Sequence, residues 1–243
     1  MRWTTRLYLW PYTRFLYRTL VGRSRSRGHA EQGRFTRNDA RRITEEAWAI
    51  ARELRGSAPR EQAVGGRLML NGGVWSLAIF RAIRGLGVPA EYATELCTDY
   101  LWAAYQSQVT VQRWLGHLLA RGPEAQMARI QGIFLRFPLG APGYDCRVRE
   151  VPGSFAYDIH RCPVHDYFAT QGPEALEFFR NSWCTLDYPL AEHLVRGGRY
   201  ERRRTLSAGD AMCDMRWMVR EVGSEIHASS PRTLTPDERK ADG

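Results

Sequence analysis

Three cysteines in the second half of the chain, Cys162, Cys184 and Cys213, are the residues whose type and setting could do chemistry. A thiolate is a strong nucleophile and a soft metal ligand. Asp187 follows Cys184 by three positions and Tyr188 by four, so a helix would place all three on one face. Cys213 alternates with Met215 and Trp217, which in a strand turns it to the core side. Cys162 alternates with Asp158 and His160 and directly precedes Pro163, a residue suited to opening a helix. Two chemistries fit. The three thiolates, with Asp187 or His160 as a further ligand, would bind zinc or iron. Alternatively one thiolate attacks an electrophilic carbon while Asp187 serves as general base. Separations of 22 and 29 residues match no compact zinc motif. Free cysteines are also among the most buried residue types, so each by itself reads as packing before chemistry, and Cys97 and Cys146 read as core.

A small acidic substrate needs a cation. Arg204 and Arg216 are the candidates, because a guanidinium forms a planar, bidentate pair with a carboxylate. Tyr188, Thr205 and His160 complete the candidate substrate-binding set. Arg199, Arg202 and Arg203 read as solvent-facing strand residues in an arginine-rich chain. His165 and His193 have no spaced partner and read as surface or capping residues.

The elements that must hold these residues fall into two halves. Up to about residue 138 the pattern is helical. Asn38 or Asp39 caps a helix to about Leu54, with Ile43, Ala47, Ile50, Ala51 and Leu54 at helical spacing. A second helix is predicted over 74–86 after the Gly65-Gly66 pair, a third from about Ala90 to Leu119, and a fourth from Pro123 to Phe137. The period then changes. Residues 145–151 and 155–161 alternate and flank Pro152-Gly153-Ser154, a hairpin signal. Short helices follow over 163–168 and 174–180, then a longer one from Trp183 to Val195. Strands are predicted over 199–206 and 211–219, joined by the turn at Ser207-Ala208-Gly209-Asp210. The expected class is α+β, a helical N-terminal half packed on a small antiparallel sheet with flanking helices in the C-terminal half. The expected organisation is a basic amphipathic segment and connector over 1–37, one domain over 38–222 (helical over 38–138, sheet-containing over 144–219) and a disordered tail over 223–243.

Composition narrows the function classes. A hydrophobic fraction of 44% supplies a core and excludes wholesale disorder. The formal charge of +9 is nearly all arginine, and seven arginines with no acid lie in the first 28 residues. That bias suits an anionic surface, yet no zinc finger, basic zipper or basic-aromatic stripe supports nucleic-acid binding. No apolar run approaches the ~18 residues of a membrane span, and the N-terminus lacks the form of a secretory signal. Five scattered cysteines suit a reducing compartment, so a cytoplasmic location is expected.

From about Tyr144 to Trp217 the order of features is distinctive: Arg161-Cys162-Pro163, then Trp183-Cys184-Thr185-Leu186-Asp187-Tyr188, then Thr205-Leu206, Gly209, and Cys213-Asp214-Met215-Arg216-Trp217. This resembles the L-2-amino-thiazoline-4-carboxylic acid hydrolase family, with its Arg-Cys-Pro step, Cys-x-x-Asp-Tyr helix and Thr-Leu-x-x-Gly-x-x-x-Cys-Asp-Phe-Arg ending. Met215 and Trp217 stand where the family has phenylalanines. The resemblance covers about a third of the chain. It implies hydrolytic opening of a thiazoline or related cyclic amidine carboxylate, at a site including Cys162, Cys184, Asp187 and Cys213. A related tailoring step in natural-product metabolism is a variant of that reading. A more distant similarity to 4-vinyl reductase ligand-binding domains implies a non-catalytic sensor. In those domains three cysteines hold zinc, but the third position falls here at about Thr205, which is no thiolate. The expected partners are a carboxylate-bearing small molecule and a second copy in a homodimer, with no nucleic acid and no transmembrane segment. A basic membrane-surface protein is the remaining class.

Overall fold

The computed structural model describes residues 13–27 and 33–220. The predicted tail and the first part of the basic segment lie outside those residues. Helix α1 (residues 13–20) leads to α2 (Arg37–Ser57), α3 (Val64–Arg84), α4 (Ala90–Gln108), α5 (Thr110–Leu119) and α6 (Pro123–Arg136). Then come β1 (Asp145–Val151), β2 (Ser154–Arg161), α7 (Pro163–Ala169) and α8 (Pro173–Asn181). A 3₁₀ turn (Trp183–Thr185) leads into α9 (Asp187–Leu194), and β3 (Gly198–Glu201) and β4 (Cys213–Val219) are the last of the described elements. The fold is α+β, with one four-stranded antiparallel sheet in the order β1-β2-β4-β3.

Local chemistry accounts for most element ends. Helix α2 opens on a capping box at Thr36, two residues ahead of the predicted cap. The Asp39 amide donates to the Thr36 hydroxyl at 3.1 Å and the Asp39 carboxylate accepts the Thr36 amide at 2.8 Å. Helix α3 begins at Val64, well before the predicted Val74, and runs straight through its glycines. The reason is tertiary. A Cβ on Gly65 would sit 2.2 Å from the carbonyl oxygen of Pro138, and one on Gly73 would sit 2.9 Å from Val164. The predicted 90–119 helix is broken at Val109 into α4 and α5.

The sheet divides its side chains by alternation. Tyr157 opposite Met215, Ile159 opposite Cys213, and Tyr200 opposite Trp217 make the inner face. Arg149 with Asp158 at 2.8 Å, and Arg216 with Glu201 at 3.7 Å, belong to the outer one. Two hydrophobic cores result. One joins α1 to α4 with α7 and α8, and includes Trp75, Phe80, Tyr100 and Phe168. The other joins α6, α9 and the inner sheet face, and includes Ile130, Phe134, Leu190 and Trp217. Met69, Trp102, Tyr105 and Cys162 pack against both.

Two predicted elements are shorter than expected, and both changes reshape the site. The 183–195 helix is a 3₁₀ turn followed by α9, and the 199–206 strand stops at Glu201. Residues 202–212 form a loop that leaves the sheet. No helix among the described residues is long and apolar enough to cross a membrane.

The glycine contacts predict opposite outcomes for one substitution. Gly65→Ala must displace backbone at Pro138, a clash that outweighs the ~1 kcal/mol of helix propensity gained. Gly132, inside α6, has nothing within 4 Å of an added Cβ. Gly132→Ala should therefore stabilise by about 0.5–1 kcal/mol. Urea unfolding should show a lower midpoint for Gly65→Ala and a higher one for Gly132→Ala; equal shifts would contradict the packing described.

Candidate functional site

A cavity of about 360 Å³ lies at the junction of the two cores. Trp75 of α3, Tyr100 and Tyr105 of α4, Phe134 of α6, and Tyr157 and Trp217 of the sheet make much of its wall. Into this apolar wall the chain inserts a compact polar group: Cys162, Cys184, Asp187, Arg202, Thr205, Ser207 and Cys213.

Each reaches the cavity by a different local device. β2 ends at Arg161 and the chain turns, so Cys162 leaves the alternation that would have grouped it with Asp158 and His160. It becomes the N-cap of α7, its sulfur accepting the His165 amide at 3.4 Å. Cys184 lies in the 3₁₀ turn and Asp187 opens α9, so the two reach the cavity from successive elements rather than from one helix face. Cys213 opens β4 on the inner face, where its sulfur accepts the Leu206 amide at 3.4 Å.

The 202–212 loop supplies the rest. The Cys184 sulfur lies 3.5 Å from the Ser207 hydroxyl, Ser207 lies 3.2 Å from the Thr205 hydroxyl, and Thr205 lies 3.5 Å from the Cys213 sulfur. A continuous sulfur–hydroxyl–hydroxyl–sulfur chain results. Arg202 donates to the Cys184 carbonyl at 2.8 Å and places its guanidinium 3.8 Å from the Asp187 carboxylate. Its side chain is only 9% exposed and that of Asp187 is 18% exposed. Arg202 is thus not the solvent-facing residue expected from composition. Period two contains the signal, since Arg202 follows the inward Tyr200 by two positions. Ser207 carries no such signal, and His165, read as a surface residue, also lines the cavity.

Four candidates lie elsewhere. Arg204 is mostly exposed and pairs with Asp214 at 3.7 Å. Arg216 is on the outer sheet face, donating to Ser154 at 3.2 Å, because it occupies the opposite phase to Met215 and Trp217. Neither can hold a ligand in the cavity. Tyr188 is 48% exposed and packs edge-on against Tyr200, and His160 falls on the phase opposite to Ile159; neither lines the cavity. Asp214 accepts the amides of Arg203 and Arg204 at 2.9 and 2.6 Å.

Burial sets the protonation states. It pushes the Cys162 thiol up to about 12, against the opposing His165 amide, and the Cys184 thiol up to about 11, against the Ser207 hydroxyl and the Arg202 charge. It also raises the Asp187 carboxyl to about 6, with Arg202 partly restoring the charged form. The Arg202 guanidinium stays charged. Metal chemistry fits poorly. Among the described residues no three His, Cys, Asp or Glu side chains converge as a metal-binding set. The Cys184 and Cys213 sulfurs are linked instead through the Ser207 and Thr205 hydroxyls. The zinc or iron site considered from the three cysteines is therefore not formed by this donor set.

No family model, no curated protein and no solved structure matches the chain.

The Asp187 carboxyl couples stability to pH. Its folded value lies above the ordinary 3.8, so folding favours the neutral form. That contribution is complete below about pH 4 and is lost as pH rises through about 6, a loss of about 3 kcal/mol at ~1.4 kcal/mol per unit. Asp187→Asn cannot ionise. Its unfolding free energy relative to the parent should therefore rise between pH 4 and 7 in urea titrations. A parallel pH dependence of the two proteins would show that the carboxyl is not held as described.

Proposed function

We propose that the chain is a small-molecule enzyme that opens a cyclic amidine or thiazoline carboxylate by hydrolysis, in the manner of the family its C-terminal half resembles. The observation that carries this reading is the buried Asp187–Arg202 pair on the wall of an otherwise apolar cavity, with the carboxyl poised near 6. A general base is most effective when its pKa lies near the working pH.

The site favours water over a thiol as nucleophile. With a pKa of about 11, Cys184 is thiolate in roughly one molecule in 10⁴ at neutral pH. Asp187 instead takes a proton from water as the water oxygen bonds to the amidine carbon of the ring. Asp187 passes that proton to the ring nitrogen as the carbon–nitrogen double bond opens. Collapse of the tetrahedral adduct then turns its hydroxyl into a carbonyl and breaks the ring carbon–sulfur bond, and the hydroxyl proton passes to the departing sulfur. The product is an N-carbamoyl amino acid bearing a free thiol. Arg202, having donors beyond those facing Asp187 and Cys184, takes the carboxylate-binding role first assigned to Arg204 and Arg216. The Cys184, Ser207, Thr205 and Cys213 chain offers hydrogen bonds to the ring heteroatoms.

A non-catalytic ligand-binding domain is the second reading, favoured by the protonated thiols and the mainly apolar wall. The two separate on turnover. With a thiazoline carboxylate as substrate and release of free thiol as readout, the enzyme reading expects kcat/KM to rise with pH through about 6. Asp187→Asn should lose about 10²- to 10⁴-fold while Cys184→Ser keeps most activity. Tight binding of the substrate by the parent with no thiol released would favour the sensor. Loss of turnover in Cys184→Ser with Asp187→Asn unaffected would reinstate the thiol nucleophile.

A further inference from the structure

Helix α5 is amphipathic the wrong way round for a solvated helix. Val111, Trp114 and Leu118 stand at i, i+3 and i+7 and are 62%, 61% and 64% exposed, and Leu119 beside them is 57% exposed. The side turned to the protein carries Gln112, half-buried Leu115 and Gly116. Gly116 is the helix's buried residue, and a Cβ there would come 2.1 Å from Ile130 of α6. The His117 ring meets the Leu194 carbonyl at 2.8 Å. Gln112 lines the cavity. The contacts of Gly116 and His117 hold the helix at one rotation, so its apolar stripe points outward. A surface helix ordinarily buries that stripe. Phe137 is 43% exposed and lines the same cavity that Gln112 borders, which extends the apolar surface to the cavity rim.

Charge decides what covers this surface. Arg113, Arg121, Arg129 and Arg136 of the α5–α6 hairpin are all exposed, and none has an ion-pair partner among the described residues. Glu124 is the hairpin's lone acid. A second copy docked here would set one arginine-rich hairpin against another. The first twelve residues, with Arg2 and Arg6 and no acid, bring the same sign. The last 23 residues contain acids but few large apolar side chains to fill the stripe. An anionic bilayer meets both demands, because its headgroups neutralise arginine while its acyl boundary takes the apolar face. Tryptophan suits that boundary in particular.

We propose that the outward face of α5, built from Val111, Trp114, Leu118 and Leu119 and flanked by hairpin arginines, docks the protein on an anionic phospholipid surface. This surface is separate from the basic N-terminus and is independent of the reaction assigned to the cavity.

Flotation of the full chain with phosphatidylglycerol/phosphatidylcholine vesicles, and with phosphatidylcholine vesicles alone, tests it. The expected result is binding to the anionic vesicles at least ten-fold tighter than to neutral ones and weakened by salt. Trp114→Glu combined with Leu118→Glu should lower that binding at least ten-fold with an unchanged melting temperature. Trp114→Ser combined with Leu118→Ser should lower it less. Arg113→Gln with Arg121→Gln should reduce the preference for anionic vesicles. No binding by the parent would overturn the proposal. So would binding that survives the glutamate pair but vanishes on removal of residues 1–12, which would place the contact at the N-terminus. A dimer that Trp114→Glu and Leu118→Glu dissolve, in a protein that ignores vesicles, would assign the face to a second copy.

Discussion

The 202–212 loop must satisfy its backbone hydrogen bonds without a neighbouring strand, and the site depends on how it does so. An unpaired buried amide or carbonyl costs as much as a lost hydrogen bond, so a chain leaving a sheet needs substitutes. Side chains supply them. Asp214 accepts the amides of Arg203 and Arg204, Asp210 accepts that of Thr205 at 2.7 Å, and Arg180 reaches from α8 to the Ser207 carbonyl. These contacts fold the loop over the cavity. They bring Thr205 and Ser207 between Cys184 and Cys213, and Arg202 beside Asp187. Without them β3 could extend into the run predicted from sequence, and its hydroxyls would not meet the cysteines.

Burial then determines what the assembled groups can do. Withdrawal from water disfavours charge wherever a group lacks a strong partner. The thiols of Cys162 and Cys184 have amide and hydroxyl neighbours and, at Cys184, the Arg202 charge, together too weak to offset burial, and they stay protonated. Asp187 is raised by burial in the same way, also against Arg202, but it starts from 3.8, so its carboxyl reaches only about 6. The same desolvation that silences the cysteines thus leaves the carboxylate poised for proton transfer. The proposed chemistry moves from sulfur to carboxylate for that reason.

Close backbone approach sets the frame around the cavity. Gly65 against Pro138, Gly73 against Val164 and Gly116 against Ile130 let α3 and α5 lie nearer to their neighbours than any side chain would permit. These contacts override the turn reading that paired glycines invite. They also explain how α5 can keep an apolar stripe exposed, since the stripe is not what secures the helix.

The sequence determined by itself the α+β class, the change of period near residue 140, the 145–161 hairpin and the inward phase of Cys213, Met215 and Trp217. These follow from spacing and turn residues, which act over a few positions. It also singled out Cys162, Cys184, Asp187, Thr205 and Cys213, all of which line one cavity. Alternation within β2 and β4 already turns His160 and Arg216 outward. Only the tertiary structure decided that Ser207 joins the site, that Arg202 keeps the inward phase of Tyr200 past the end of β3, and that Arg204 and Tyr188 stay outside. A strand's alternation assigns faces only while the strand lasts. β3 ends at Glu201 and β2 at Arg161, and beyond those points loop contacts with Asp214, Asp210 and Arg180, and the cap at Cys162, choose the directions. Those partners are brought together by packing rather than by spacing, so no periodicity in the chain announces them.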